Sequence, residues 1–137
     1  MSAARATLDV RQSADRVWQL IGGFGSLPDW LPYITQSVPG EGGRLRTLTN
    51  AEGGVIVERL EAFDERARSY TYSIVRAPFP VTGYRSTLQV LDRGDDGCRV
   101  EWSGTFTADG VTDAEANALF QGIYRDGLDA LAERLAV

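Results

Sequence analysis

The chain has 137 residues, with 14 basic residues, all arginine, against 19 acidic ones, a net charge of −5, and 43% hydrophobic and 24% charged content. That is the usage of one soluble domain long enough to bury a core without metals or disulfides. The absence of histidine removes Ser-His-Asp and Cys-His catalysis, HExxH zinc proteases and zinc fingers, so acid/base work falls to carboxylates, tyrosines or water.

Arg5-Ala6-Thr7-Leu8-Asp9-Val10-Arg11 alternates apolar and polar residues and predicts a half-buried first strand over 5–11. Ser13 then caps a short helix through Val17, Trp18, Leu20 and Ile21, which Gly22 and Gly23 end. A second short helix covers Ser26 to Trp30 and stops before Pro32. Six strand-like segments follow, near 33–39, 43–49, 54–63, 68–77, 82–92 and 97–107, separated by turn chemistry such as Pro39-Gly40-Glu41-Gly42-Gly43 and Arg93-Gly94-Asp95-Asp96-Gly97. Thr112-Asp113-Ala114-Glu115 is a capping box. It opens a long amphipathic helix with Leu119, Phe120, Ile123, Tyr124, Gly127, Leu128, Leu131 and Leu135 on one stripe. The class is α+β, one domain over 1–137, with one helix available to cover one sheet face.

If consecutive strands are hairpins, the turn centres set the pairing, and one face can be followed across the sheet. From Val100, Trp102, Gly104 and Phe106 it runs to Tyr84, Ser86, Leu88 and Val90, then Tyr70, Tyr72 and Ile74, then Ile56, Glu58 and Leu60, and last Arg44, Arg46 and Leu48. This register sets Arg46 opposite Glu58. A one-residue slip would turn both outward and bring in Leu45, Val55 and Val57 instead.

An ionised pair on an apolar face costs on the order of several kcal/mol per ion in desolvation. One reading is a wet or ligand-filled cavity in which Glu58 transfers a proton and Arg46 orients it or binds an anionic group; the other is a structural salt bridge at the cavity mouth. An apolar surround would raise Glu58 toward neutrality. Tyr72 and Tyr84 could polarise a carbonyl or simply pack with one hydrogen bond each. Trp30 would be a gate, and Trp102 with Phe106 an aromatic wall; core filling is the alternative for each. Ile56, Leu60, Ile74, Ser86 and Leu88 would line the sheet side, and Phe120, Ile123, Tyr124 and Gly127 the helix side. Gly127 implies close approach of a ligand or a strand. Arg76 either leans to the mouth and meets an acidic ligand or is a solvated strand-end charge.

Asp15-Arg16-Val17-Trp18-Gln19-Leu20-Ile21-Gly22-Gly23-Phe24 followed by Leu27-Pro28-Asp29-Trp30-Leu31-Pro32 resembles the opening of the bacterial polyketide cyclase/dehydrase family of the START/Bet v1-like superfamily. Val57-Glu58-Arg59-Leu60-Glu61-Ala62-Phe63-Asp64, Tyr70-Thr71-Tyr72-Ser73-Ile74-Val75, Val100-Glu101-Trp102-Ser103-Gly104-Thr105-Phe106 and Gly122-Ile123-Tyr124-Arg125-Asp126-Gly127-Leu128-Asp129-Ala130-Leu131 extend the resemblance over nearly the whole chain. It implies the helix-grip fold: a curved seven-stranded antiparallel sheet around the C-terminal helix, with two short helices after the first strand and a cavity between sheet and helix. It also implies chemistry without metal or organic cofactor, and these motifs are framework that transfers no catalytic residue.

Two functions are therefore expected: a cofactor-independent cyclase, dehydratase or isomerase acting on a hydrophobic oxygenated, polyketide-like molecule, or a noncatalytic carrier or sensor of a lipid-like one. The lone Cys98 cannot form an internal disulfide. No leader and no apolar run of the roughly 18 residues a membrane span needs is present, so a cytoplasmic protein is expected. Scattered arginines in an acidic chain argue against nucleic acid. Homodimerisation through an exposed strand edge or the short helices is left open.

Overall fold

The computed structural model describes residues 2–136. β1 (Ser2–Val10) starts earlier than its alternation suggests, because Ser2 to Ala4 already pair with the last strand, from Phe106 to Gly104. α1 (Ala14–Ile21) is capped by the Ser13 hydroxyl, which accepts from the Arg16 N–H at 3.2 Å. α2 (Leu27–Trp30) is a single turn with Pro28 near its start. Then come β2 (Ile34–Gly40), β3 (Leu45–Asn50), β4 (Val55–Asp64), β5 (Ser69–Arg76), β6 (Val81–Asp92) and β7 (Cys98–Ala108). α3 (Asp113–Leu135) begins at the expected capping box, with the Thr112 hydroxyl accepting from the Glu115 N–H at 3.1 Å.

The sheet is antiparallel throughout, in the order β1-β7-β6-β5-β4-β3-β2. The first two strands are thus its two edges, and α1 and α2 link one edge to the other. The pairs Arg46↔Glu58, Glu58↔Ile74, Tyr72↔Ser86 and Ser86↔Gly104 establish the unslipped register. Every even-numbered residue from Tyr84 to Val90 and from Cys98 to Phe106 is buried on the inner face. A shift between Leu60 and Ala62 then breaks the alternation of β4, leaving Leu60 half-buried and Ala62 and Phe63 exposed.

Arg44 departs from expectation. It follows a turn at Glu41–Gly43 and is exposed, because Glu41, Gly42 and Gly43 all take positive φ and delay the start of β3 to Leu45.

The two sheet edges are treated differently. Along β1, the Ala3 N–H donates to Asn117 Oδ1 at 3.0 Å and the Arg5 N–H to Gln121 Oε1 at 3.0 Å. The Gln121 amide returns a bond to the Arg5 carbonyl, and Arg125 Nη1 donates to the Thr7 carbonyl at 3.0 Å. Four residues along a helix rise about 6 Å, close to the roughly 6.7 Å of two strand residues. One ridge of α3 therefore matches the unpaired groups of β1 and closes that edge. No helix among the described residues is long and apolar enough to cross a membrane.

Candidate functional site

The inner face brings Arg46 of β3 against Glu58 of β4. Arg46 Nε donates to Glu58 Oε1 at 2.8 Å, Nη2 lies 2.7 Å from the same oxygen, and Nη1 donates to the Phe24 carbonyl at 2.8 Å and to the Tyr70 hydroxyl at 3.3 Å. The guanidinium carbon sits 4.1 Å from the Phe24 ring centre and 4.8 Å from that of Tyr72. Arg46 is 1% exposed and Glu58 7%. Burial raises the Glu58 carboxyl above its ordinary range, and Arg46 pulls it only part of the way back. Burial also works against the guanidinium, but Tyr70, Glu58 and Tyr72 together hold Arg46 firmly protonated. Among the described residues Glu58 Oε2 accepts no hydrogen bond, so the carboxyl is held through one oxygen.

Beside the ion pair lies a set of linked hydroxyls. Trp102 Nε1 donates toward both the Tyr72 hydroxyl and Ser86 Oγ, each at 3.1 Å. The Tyr124 hydroxyl of α3 donates to Ser86 Oγ at 3.3 Å, and Ser86 Oγ donates to the Ser103 carbonyl at 2.8 Å. Tyr84 bridges the hydroxyls of Tyr124 and Tyr72. Burial drives the Tyr72 and Tyr84 phenols well above their ordinary range and pushes Tyr124 up to about 12, so all three stay protonated donors.

Two glycines make room for these rings. A Cβ at Gly127 would stand 2.6 Å from Trp102 Cζ3 and 3.2 Å from Leu31 Cδ2. At Gly104 a Cβ would collide with the Tyr124 hydroxyl. The close approach expected at Gly127 is thus to an indole on the sheet. Gly104, inside a strand, carried the same signal in the sequence and was overlooked there.

The expected residues do not all occupy one space. Trp30, expected at the entrance, is 2% exposed and lies tilted against Trp102 at 5.8 Å, with its Nε1 unpartnered among the described residues. Phe106, Phe120, Tyr84 and Tyr124 touch in one cluster with ring centres 4.7–6.2 Å apart. Ile56 and Leu88 are buried beside the core, and Leu60, Ile74 and Ile123 are half-buried against it. Phe24, whose ring and carbonyl hold Arg46, was not anticipated, since nothing in its glycine-rich neighbourhood marks it.

Two of the hollows formed by the described residues lie on or beside the sheet. The larger, about 530 Å³, lies on the outer sheet face among Arg5, Thr71, Arg85 and Thr87, and reaches neither the ion pair nor the phenols. The smaller, about 430 Å³, opens at the β5–β6 turn; of the expected residues Ile74, Arg76 and Tyr84 line it, while Arg46, Glu58, Tyr72 and Tyr124 do not. Phe79, at its rim, meets Phe120 of α3 edge-on at 5.3 Å. This hollow adjoins the polar set through two of its wall residues, since the Tyr84 hydroxyl bonds to that of Tyr124 and Ile74 pairs with Glu58. No group of three or more His, Cys, Asp or Glu among the described residues is placed to hold a metal ion.

A family model described as polyketide cyclase / dehydrase and lipid transport matches residues 1–136. Among solved structures, the protein XoxI from Bacillus cereus is 55% identical, with a TM-score of 0.92 over 96% of this chain and 93% of that one. The di-domain ARO/CYC protein BexL shares the fold at 20% identity and TM-score 0.82, over 99% of this chain and 47% of that one. Norcoclaurine synthase from Thalictrum flavum, in complex with dopamine and hydroxybenzaldehyde, does so at 21% identity and TM-score 0.75, over 98% of this chain and 86% of that one. No curated protein matches this chain.

Proposed function

The chain belongs to the polyketide cyclase / dehydrase and lipid transport family, and from that premise we propose that it is a cofactor-independent enzyme of the cyclase, dehydratase or isomerase kind. Its substrate is a hydrophobic, oxygenated small molecule taken in through the mouth between the β5–β6 turn and α3. A hollow of about 430 Å³ is within the range that holds small organic ligands.

One observation carries this reading: Glu58 is 7% exposed, anchored through Oε1 alone, and raised by burial. A carboxyl raised above its ordinary range holds a proton more readily and can both accept and return one, which enolisation, dehydration and ring closure all require. Arg46 keeps the carboxyl in place and supplies positive charge beside it. The Tyr84 phenol at the floor of the mouth and the Tyr72 phenol behind it are protonated donors suited to a substrate carbonyl or enolate. Trp102, Phe106 and Phe120 provide the flat apolar surround that excludes water.

A carrier without chemistry is the second reading. It is favoured by the hydroxyl set being satisfied within itself, from Trp102 through Ser86 to Tyr124 and Tyr84, so that aromatic walls would serve binding alone.

The two are separated by incubating the protein and its Glu58→Gln variant with a metabolite extract from a producing bacterium, isolating complexes by native mass spectrometry and chromatographing what is released. A compound returned dehydrated, or at equal mass with altered retention, by the wild type but not by the variant is expected. Unchanged release from both proteins would overturn the enzyme in favour of the carrier.

A further inference from the structure

We propose that the mouth hollow takes a hydrophobic carboxylate, with its apolar body against Phe79 and Tyr84 and its acid group on Arg76. The proposal rests on the ligand-binding reading above and names the substrate class.

The inner face of β5 is formed by Tyr70, Tyr72 and Ile74. Arg76, the last residue of the strand, follows a register shift that pairs it with Val57 instead of Ile56 and ends the alternation at the rim. It is exposed because it lies at the rim, and it lines the hollow. No other charged residue does so; around it are Ile74, Phe79, Val81, Thr82 and Tyr84. Half of the chain's 14 arginines close on a carboxylate of the protein. Arg76 forms neither an ion pair nor a side-chain hydrogen bond among the described residues.

A guanidinium presents a planar fork that a carboxylate meets with two parallel hydrogen bonds, and the Thr82 hydroxyl at the same rim is a further donor. At the rim both charges keep part of their hydration, so the pairing avoids the desolvation cost of an acid group carried into the interior. It also orients the ligand. With the acid held at Arg76, the opposite end points to the Tyr84 phenol, so the carboxylate itself is not the reacting group.

The test is calorimetric titration of the protein with 2-naphthoate and with 2-naphthalenemethanol, which share one ring system and differ in charge. The wild type is expected to bind the acid about five- to tenfold more tightly than the alcohol. That preference should shrink as salt is raised, disappear in Arg76→Gln and invert in Arg76→Glu, with circular dichroism confirming that both variants fold. Equal binding of acid and alcohol by the wild type, or a preference that survives in Arg76→Gln, would overturn the carboxylate proposal and leave the binding hollow standing. Binding of neither probe would overturn both.

Discussion

Arg46 holds Glu58 by one oxygen only: Nε and Nη2 both converge on Oε1, at 2.8 and 2.7 Å. The pair is thereby asymmetric: one carboxylate oxygen takes both bonds and the other accepts none among the described residues. Its energetic behaviour distinguishes a site from a mere tie between strands.

Burial sets Glu58 above its unfolded value near 4.5. A carboxyl raised on folding contributes stability that is fully present below the unfolded pKa and is lost as pH rises through the folded one. The stability of the wild type relative to Glu58→Gln, which does not titrate, should therefore fall as pH rises past the unfolded value near 4.5 toward the raised folded one. Urea unfolding of both proteins across that range checks it, and a growing difference would mean that Arg46 outweighs burial. Arg46→Met, which strands the carboxylate, should cost about 3–5 kcal/mol at neutral pH.

Gly127 and Gly122 share α3 and predict opposite outcomes. Alanine gains up to about 1 kcal/mol over glycine in a helix. At Gly122 nothing lies within 4 Å of the new methyl, so Gly122→Ala should stabilise by about that amount. At Gly127 the methyl would meet Trp102 Cζ3 at 2.6 Å, and overpacking of about 1–3 kcal/mol should exceed the helical gain. Thermal melts of the two variants should move in opposite directions.

Closure of the β1 edge depends on Asn117 and Gln121. Replacing both by alanine frees the N–H groups of Ala3 and Arg5 and the Arg5 carbonyl while leaving the core untouched. Each exposed bond is worth about 0.5–1.5 kcal/mol. Amide exchange at Ala3 and Arg5 should accelerate more than elsewhere in β1, and light scattering should report association through the opened edge. Unchanged exchange would show that pairing with β7 alone orders the strand.

The phenols of Tyr72, Tyr84 and Tyr124 should resist ionisation. Spectrophotometric titration should leave these three protonated where an ordinary phenol, near 10, has ionised, with Tyr124 following at about 12. Since their folded pKa values lie above the unfolded ones, their contribution to stability is complete below pH 10 or so and is lost as pH rises through the folded values. Tyr124→Phe removes the bond to Ser86 and the bridge to Tyr84 and should cost about 1–2 kcal/mol. Full tyrosine ionisation at pH 10 to 11 without unfolding would contradict the buried hydroxyl set.

Much of this architecture was written locally. Alternation in Val100, Trp102 and Phe106, the turn residues between strands and the Thr112 capping box are short-range signals. Because a strand has a period of two, burying one face carries the register from β7 to β3 and sets Arg46 opposite Glu58. What alternation cannot see is where a strand begins or breaks. Arg44 fell out of the inner face when Glu41, Gly42 and Gly43 took positive φ, and β4 lost its alternation at the shift after Leu60.

The filling of the space between sheet and helix was decided only in three dimensions. Tyr124 reaches over Gly104, Trp102 leans into the gap at Gly127, and Phe24 comes from a loop to lie under Arg46; each contact joins elements far apart in the chain, and the glycines signal a close approach without naming the partner. Counting along the strands places Arg46 on the inner face, whereas it leaves Arg76 either a mouth residue or a solvated strand-end charge. Tertiary packing buried the first among aromatic rings and left the second at the mouth, because the energy of a charge depends on the solvent and partners around it rather than on its position along a strand.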